Sequence, residues 1–231
     1  MDILFEDRHV LVVNKPPGLA TMGLPAGKPT LLTRLKEFLR NRDAKAGNVY
    51  LGIVSRLDVP VGGAVLVAKT SKAAARLAEQ FRLRSVNKTY WAVVEDGPRV
   101  REGRLRHWLR GDPRFRRVQV SHRGDPDALE AALLVRRLAA QNGLVLLEIE
   151  LETGRKHQIR VQLSVEGMPI LGDRKYGSRR PFGAGIALHA RRLAFRHPID
   201  DRLIQVTAPL PPAWRSLGFA ANDRDDAQAE P

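Results

Sequence analysis

The sequence predicts a mixed α/β protein, on three observations. Short apolar runs bounded by Gly, Pro and Asp recur along the chain, the pattern of strands joined by tight turns. Between them, residues 30–40 and 71–84 repeat apolar side chains at helical spacing. Neither an internal repeat nor a long linker interrupts the first 219 residues. One domain is therefore expected over residues 1–219, followed at 220–231 by a polar, acidic tail that should be disordered.

The elements follow in order. Residues 3–13 (ILFEDRHVLVV) read as two short strands around a Glu6-Asp7-Arg8 turn. Asn14-Lys15-Pro16-Pro17-Gly18 ends that pair, because two prolines cannot continue a ladder. Residues 19–29 are a Gly/Pro-rich loop. Leu31, Leu32, Leu35, Phe38 and Leu39 then share a helix face. Residues 53–70 (IVSRLDVPVGGAVLVAKT) read as strand, tight loop, strand, with Asp58 on the loop. A polar loop residue on a rigid frame is where chemistry usually sits, although Asp is also a common turn cap. Ser71 is the expected N-cap of a helix on which Ala74, Leu77, Ala78 and Phe81 line one face.

Residues 87–94 form the next expected strand, stopped by Gly97-Pro98. Residues 99–117 carry eight Arg against two acids, interleaved with Trp108 and Phe115. Such a basic, aromatic-bearing hairpin suits RNA, or else is an edge protected by charge. A turn at 122–127 leads to a strand pair at 128–139 and 143–152. In the second strand Val145, Leu147, Ile149 and Leu151 alternate with Glu148, Glu150 and Glu152. Residues 155–165 read as a short helix ending at Gly167. Loops at 169–176 and around Gly183 and Gly185 precede the last strands at 186–195 and 203–207.

Composition excludes several functions. The chain has no Cys, which rules out disulfides, thiolate metal sites and cysteine nucleophiles and fits a cytoplasmic location. No apolar run approaches the ~20 residues of a membrane span. The opening MDILFEDRHVLVV lacks the basic region of a signal peptide. The formal net charge is +14, and a surplus of that size favours a polyanionic partner, most simply nucleic acid.

Four stretches carry the chemistry: Ser55-Arg56-Leu57-Asp58, Lys88-Thr89-Tyr90, the segment Thr153-Gly154-Arg155-Lys156-His157-Gln158-Ile159-Arg160, and the segment from Pro169 to Gly177 (PILGDRKYG). In order and spacing they resemble the RluA-type pseudouridine synthases. The opening Val12-Val13-Asn14-Lys15-Pro16-Pro17-Gly18 and the closing Leu188-His189-Ala190 extend the resemblance to about residues 3–210. It implies the pseudouridine synthase fold, with a mixed, mostly antiparallel sheet flanked by helices and loops. It also implies isomerisation of uridine to pseudouridine in ribosomal or transfer RNA, with no metal or organic cofactor.

The resemblance carries Asp58 over as the essential carboxylate, either a nucleophile or a promoter of base loss. Arg160 matches the arginine that pairs with that carboxylate. Tyr90 matches a tyrosine that stacks on the target base and takes part in proton transfer. Leu163 matches an apolar residue lining the uracil pocket, though core packing serves its position equally. Arg56 is implied to fill the space left by a flipped nucleotide or to hold its phosphate. Arg104, Arg106, Arg114, Arg116 and Arg117 are the expected RNA-backbone contacts.

The chain departs from the family pattern in places. Ser55 stands where His is usual, Val61-Gly62-Gly63 where Thr-Ser-Gly is usual, and Lys156 and Gln162 where Thr and His are usual. Two glycines after Asp58 predict a more flexible loop. The opening motif begins too early to leave room for an S4 domain, and a monomer is expected. The rival reading is a catalytically inactive RNA-binding or ribosome-assembly protein of the same fold. A metal-dependent nuclease finds no support, because no carboxylate cluster has metal-ligand spacing.

Overall fold

A computed structural model describes all residues except 26, 45, 46, 98, 116, 184 and 220–231. Arg116 and the expected tail thus lie outside the described residues. The fold is mixed α/β, with a large, mostly antiparallel sheet and few helices. The chain divides into two compact units. One comprises Met1–Lys88 and Ala190–Pro209, the other Thr89–His189 and the segment from Leu210 onward.

In the first unit β1 (Ile3–Glu6) and β2 (Val10–Lys15) form the expected hairpin. β2 pairs along its length with β4 (Gly62–Ala68), from Val10 opposite Ala68 to Lys15 opposite Gly63. The two-residue β3 (Gly52–Ile53) pairs with the far end of β4. β10 (Leu188–Arg196) and β11 (Leu203–Thr207) add a further hairpin. Every residue of β4 is buried, because both sheet faces are covered. Val10, Val12 and Leu66 pack with Ala73 and Leu77 of α2 (Ser71–Arg82). Leu11, Val13, Val65 and Val67 pack with Leu31, Leu35 and Leu39 of α1 (Leu31–Arg42). Strands buried on both faces read as continuous apolar runs, as VLVV and AVLVA do.

Both helices begin on a threonine. Thr30 accepts from the Thr33 amide at 3.2 Å while the Thr33 hydroxyl accepts from the Thr30 amide at 2.8 Å, a reciprocal cap. The N-cap of α2 is Thr70, not Ser71: its backbone is extended and its hydroxyl accepts from the Ala73 amide at 3.2 Å. Either residue type can cap, so only the backbone decides between adjacent candidates.

The second unit orders its strands β5-β9-β8-β6-β7. These are β5 (Asn87–Glu95), β6 (Gly103–Asp112), β7 (Arg117–Ser121), β8 (Leu129–Gln141) and β9 (Leu144–Leu151). The alternation expected on β9 holds only in part. Leu146 and Glu148 are also buried, at 5% and 8% exposure, and Glu148 lies 3.6 Å from Arg136 on β8. α3 (Gln158–Val165) is shorter than expected at its start. His157 stands before it in the left-handed region, at φ 54°. Among the described residues no helix is long and apolar enough to cross a membrane.

Candidate active site

In the first unit, the candidate site is the loop between β3 and β4. The ladder of β3 stops at Ile53, and the Ser55 hydroxyl then accepts from the Leu66 amide at 3.0 Å, in place of the next backbone carbonyl. The unusual serine therefore closes the ladder and releases Arg56, Leu57 and Asp58 into the loop. Arg56 is exposed and Asp58 half-buried.

Both neighbours of Asp58 are tied to residues 15–21. On one side, the Thr21 hydroxyl donates to the Leu57 carbonyl at 3.0 Å and accepts from the Leu57 amide at 3.2 Å. On the other, the Gly18 amide donates to the Val59 carbonyl at 2.8 Å. The turn closes as the Val61 amide donates to the Asp58 carbonyl at 3.1 Å.

The loop is therefore held, not loosened. Gly62 and Gly63 belong to β4, and Gly63 serves a close approach. Its φ is +116°, and a Cβ there would lie 2.4 Å from the Ala190 carbonyl oxygen. The expectation of a flexible loop is corrected by this packing.

Beneath the loop lies a residue whose role the sequence reading missed. Lys15 has no exposed surface. Its Nζ donates to the Leu19 carbonyl at 2.7 Å, the Pro16 carbonyl at 3.0 Å and the Val59 carbonyl at 3.4 Å. Burial pushes the Lys15 amine down to about 8, with the Asp58 carboxylate pulling the other way. Its sequence signals are a lysine set against Pro-Pro-Gly at a strand end and its place in the opening motif.

In the second unit, Tyr90 is half-buried on β5, opposite Ile149 of β9. Arg160 and Leu163 both lie on α3, and residues Gln158 to Leu163 are all buried. Arg160 is 5% exposed, which excludes a helix-surface arginine. Leu163 has the full burial of a core side chain.

The sequence reading also missed Asp173. It lies in the PILGDRKYG stretch, is 1% exposed, and holds Arg160 with both oxygens, at 2.7 Å to Nε and 2.9 Å to Nη2. The Arg160 guanidinium also stands 5.0 Å from the Tyr176 ring centroid. The Tyr176 hydroxyl accepts from the Val118 amide at 3.0 Å and lies 2.7 Å from His157 Nδ1.

The other motif residues fix the start of α3. The Gln158 side-chain carbonyl accepts from the Thr153 hydroxyl at 2.7 Å and the Arg155 amide at 2.9 Å, and its Nε2 donates to the Ala132 carbonyl at 3.0 Å. Gln162, one of the departures, is fully buried and donates to the Ala131 and Leu105 carbonyls at 3.2 and 3.3 Å. It therefore serves packing.

The arginine hairpin is sorted by its pleat. Arg104, Arg106, Trp108 and Arg110 share one face of β6, while Leu105 and Leu109 are buried on the other. Arg104 pairs with Glu152 at 2.6 Å, and Arg106 pairs with Glu130. Arg106 and Arg123 lie 5.2 and 5.9 Å from the Trp108 ring centroid. Arg114 and Arg117 are exposed in or beside the β6–β7 turn, and Arg117 donates to the Lys175 carbonyl. Among the described residues, no group of three His, Cys, Asp or Glu side chains is placed to hold a metal ion.

Residues 9–165, which include Asp58, Tyr90 and Arg160, match the family model described as RNA pseudouridylate synthase. The chain belongs to this family. It is 36% identical over 225 residues to the "Uncharacterized RNA pseudouridine synthase YhcT" of Bacillus subtilis (strain 168), covering 94% of this chain and 71% of that one. It is 36% identical over 229 residues to the ribosomal large subunit pseudouridine synthase D of Xylella fastidiosa, covering 91% and 66%. Among solved structures, human RNA pseudouridylate synthase domain containing 4 superposes with a TM-score of 0.77 at 25% identity, over 94% of this chain and 92% of that one. The RluA-type resemblance is thus borne out, and with it an RNA pseudouridine synthase, an isomerase. Of the Val61-Gly62-Gly63 departure, Gly62 and Gly63 lie in packed sheet, and the buried Val61 closes the turn after Asp58.

Proposed function

We propose that this pseudouridine synthase acts on specific uridines of ribosomal or transfer RNA in the cytoplasm, without a cofactor and as a monomer, through residues 1–219. The name of the Xylella relative, a ribosomal large subunit enzyme, favours ribosomal RNA as the first substrate to try. Asp58 supplies the essential carboxylate. The C1′–N1 bond of the target uridine breaks, the uracil turns, and a C1′–C5 bond forms. N1 takes up a proton and the C5 hydrogen leaves to solvent. Arg160 supplies the balancing guanidinium and Tyr90 the ring that stacks on uracil. Leu163 contributes to the apolar wall of the base site. Arg56, exposed two residues before Asp58, takes the space or the phosphate of the flipped nucleotide.

The observation that carries this reading is the Asp58 loop itself. A half-buried carboxylate held at the residues before and after it is built as preorganised chemical sites are built. Pseudouridine takes a stable carbodiimide adduct that stops reverse transcription. Unmodified ribosomal and transfer RNA incubated with the protein should therefore gain discrete stops in one RNA class. Absence of new stops in both classes would overturn the substrate assignment.

A further inference from the structure

We propose that Thr21 is a positioning residue for Asp58, an inference that rests on the catalytic reading of Asp58. Thr21 is 3% exposed and lies in the loop before α1. A buried hydroxyl needs a partner, and here both partners belong to one residue. The Thr21 side chain donates to the Leu57 carbonyl and accepts from the Leu57 amide, at 3.0 and 3.2 Å. It thus does for Leu57 what a neighbouring strand does for a paired residue, at a point where no strand is present. Both peptide planes flanking Leu57 are fixed, and the second of them leads directly into Asp58.

Thr21 is itself held from behind. The first amides of a helix have no partner within it. In α1 the Leu31 amide donates to the Ala20 carbonyl at 2.8 Å, and the Leu32 amide donates to the Thr21 carbonyl at 3.1 Å. Leu31, Leu35 and Leu39 anchor α1 in the core. A continuous path of hydrogen bonds therefore runs from a packed helix, through the Thr21 backbone and hydroxyl, to the residue before Asp58. The carboxylate is aimed by a side chain that touches neither substrate nor carboxylate.

Three variants test this with release of tritium from RNA labelled at uridine C5, below every variant's unfolding transition. Thr21→Val keeps the shape and removes the hydroxyl. It should lower kcat by about 10- to 100-fold, the scale of a small misplacement of a reacting group, with KM changed less than about 2-fold. Thr21→Ser restores the hydroxyl and should return kcat to within about 3-fold of wild type, a rescue that filling space alone would not produce. Where Thr21→Val does not fold, Thr21→Ala removes the hydroxyl without setting a methyl against the freed carbonyl, and carries the same expectation. Asp58→Asn is the reference. If it abolishes release while Thr21→Val matches wild type, or if Thr21→Ser fails to rescue, the positioning role is overturned and the Asp58 reading stands. If Asp58→Asn retains full release, both are overturned.

Discussion

Lys15 is enclosed beneath the Asp58 loop, its amine shared among three carbonyls. Burial lowers it from 10.5 to about 8. Between those values the unfolded chain still binds the proton and the folded chain has released it, so folding stability gains as pH rises. The stability of wild type relative to Lys15→Met should therefore increase from about pH 8 to 10.5, by ~3 kcal/mol at most. Chemical denaturation at several pH values measures it, and a flat difference would contradict the buried amine. Asp173 makes a different kind of demand. Asp173→Asn leaves the Arg160 guanidinium buried with its bidentate partner neutralised, so unfolding free energy should fall by ~3–5 kcal/mol. A drop under ~1 kcal/mol, the scale of a surface pair, would argue that the pair is solvated. Asp58, Arg56 and Arg160 stood out in the sequence because motif spacing survives without coordinates. Lys15, Asp173 and Thr21 did not, because each acts through tertiary burial or through backbone groups that the sequence does not bring together.

Strands were the most legible elements. β1, β2, β4, β5 and β11 lie where alternation and turn residues put them, within a few residues at each end. Less legible was α3, where Gln158, Arg160 and Gln162 are polar yet all are buried. Polar residues can be enclosed only when partners reach them, and those partners come from β6, β8 and the 153–155 and 169–177 segments. Gly62 and Gly63 suggest a loop because glycine favours turns. Gly63 is instead a packing residue, and Gly63→Ala should destabilise the protein by ~3 kcal/mol or more, from backbone strain and collision with Ala190 together. A thermal melt measures it, and an unchanged midpoint would contradict the close approach. The exposed arginines of β6 and β7 carry an element-scale expectation for RNA. Replacing Arg104, Arg106, Arg114 and Arg117 together should lower the slope of log affinity against log salt, by ~0.7 for each single-strand phosphate that is no longer neutralised. An unchanged slope would place the RNA elsewhere. Arg104 and Arg106 begin paired with Glu152 and Glu130, but exposed pairs are weak and exchange readily for phosphate.

At the scale of the whole molecule, the +14 charge selects a class of partner and not a reaction. The fold narrows the reaction class, since the family model and a solved relative at TM-score 0.77 agree on pseudouridine synthase. Fold alone does not assign chemistry to residues. That assignment rests on the held Asp58 loop and is tested by the hydrogen that the reaction must expel. RNA labelled with tritium at uridine C5, incubated with wild type and with Asp58→Asn, measures it directly. Wild type should release tritium to solvent, and Asp58→Asn should release at least ~10³-fold less, with RNA affinity preserved. Equal release by both proteins would contradict the central role of Asp58.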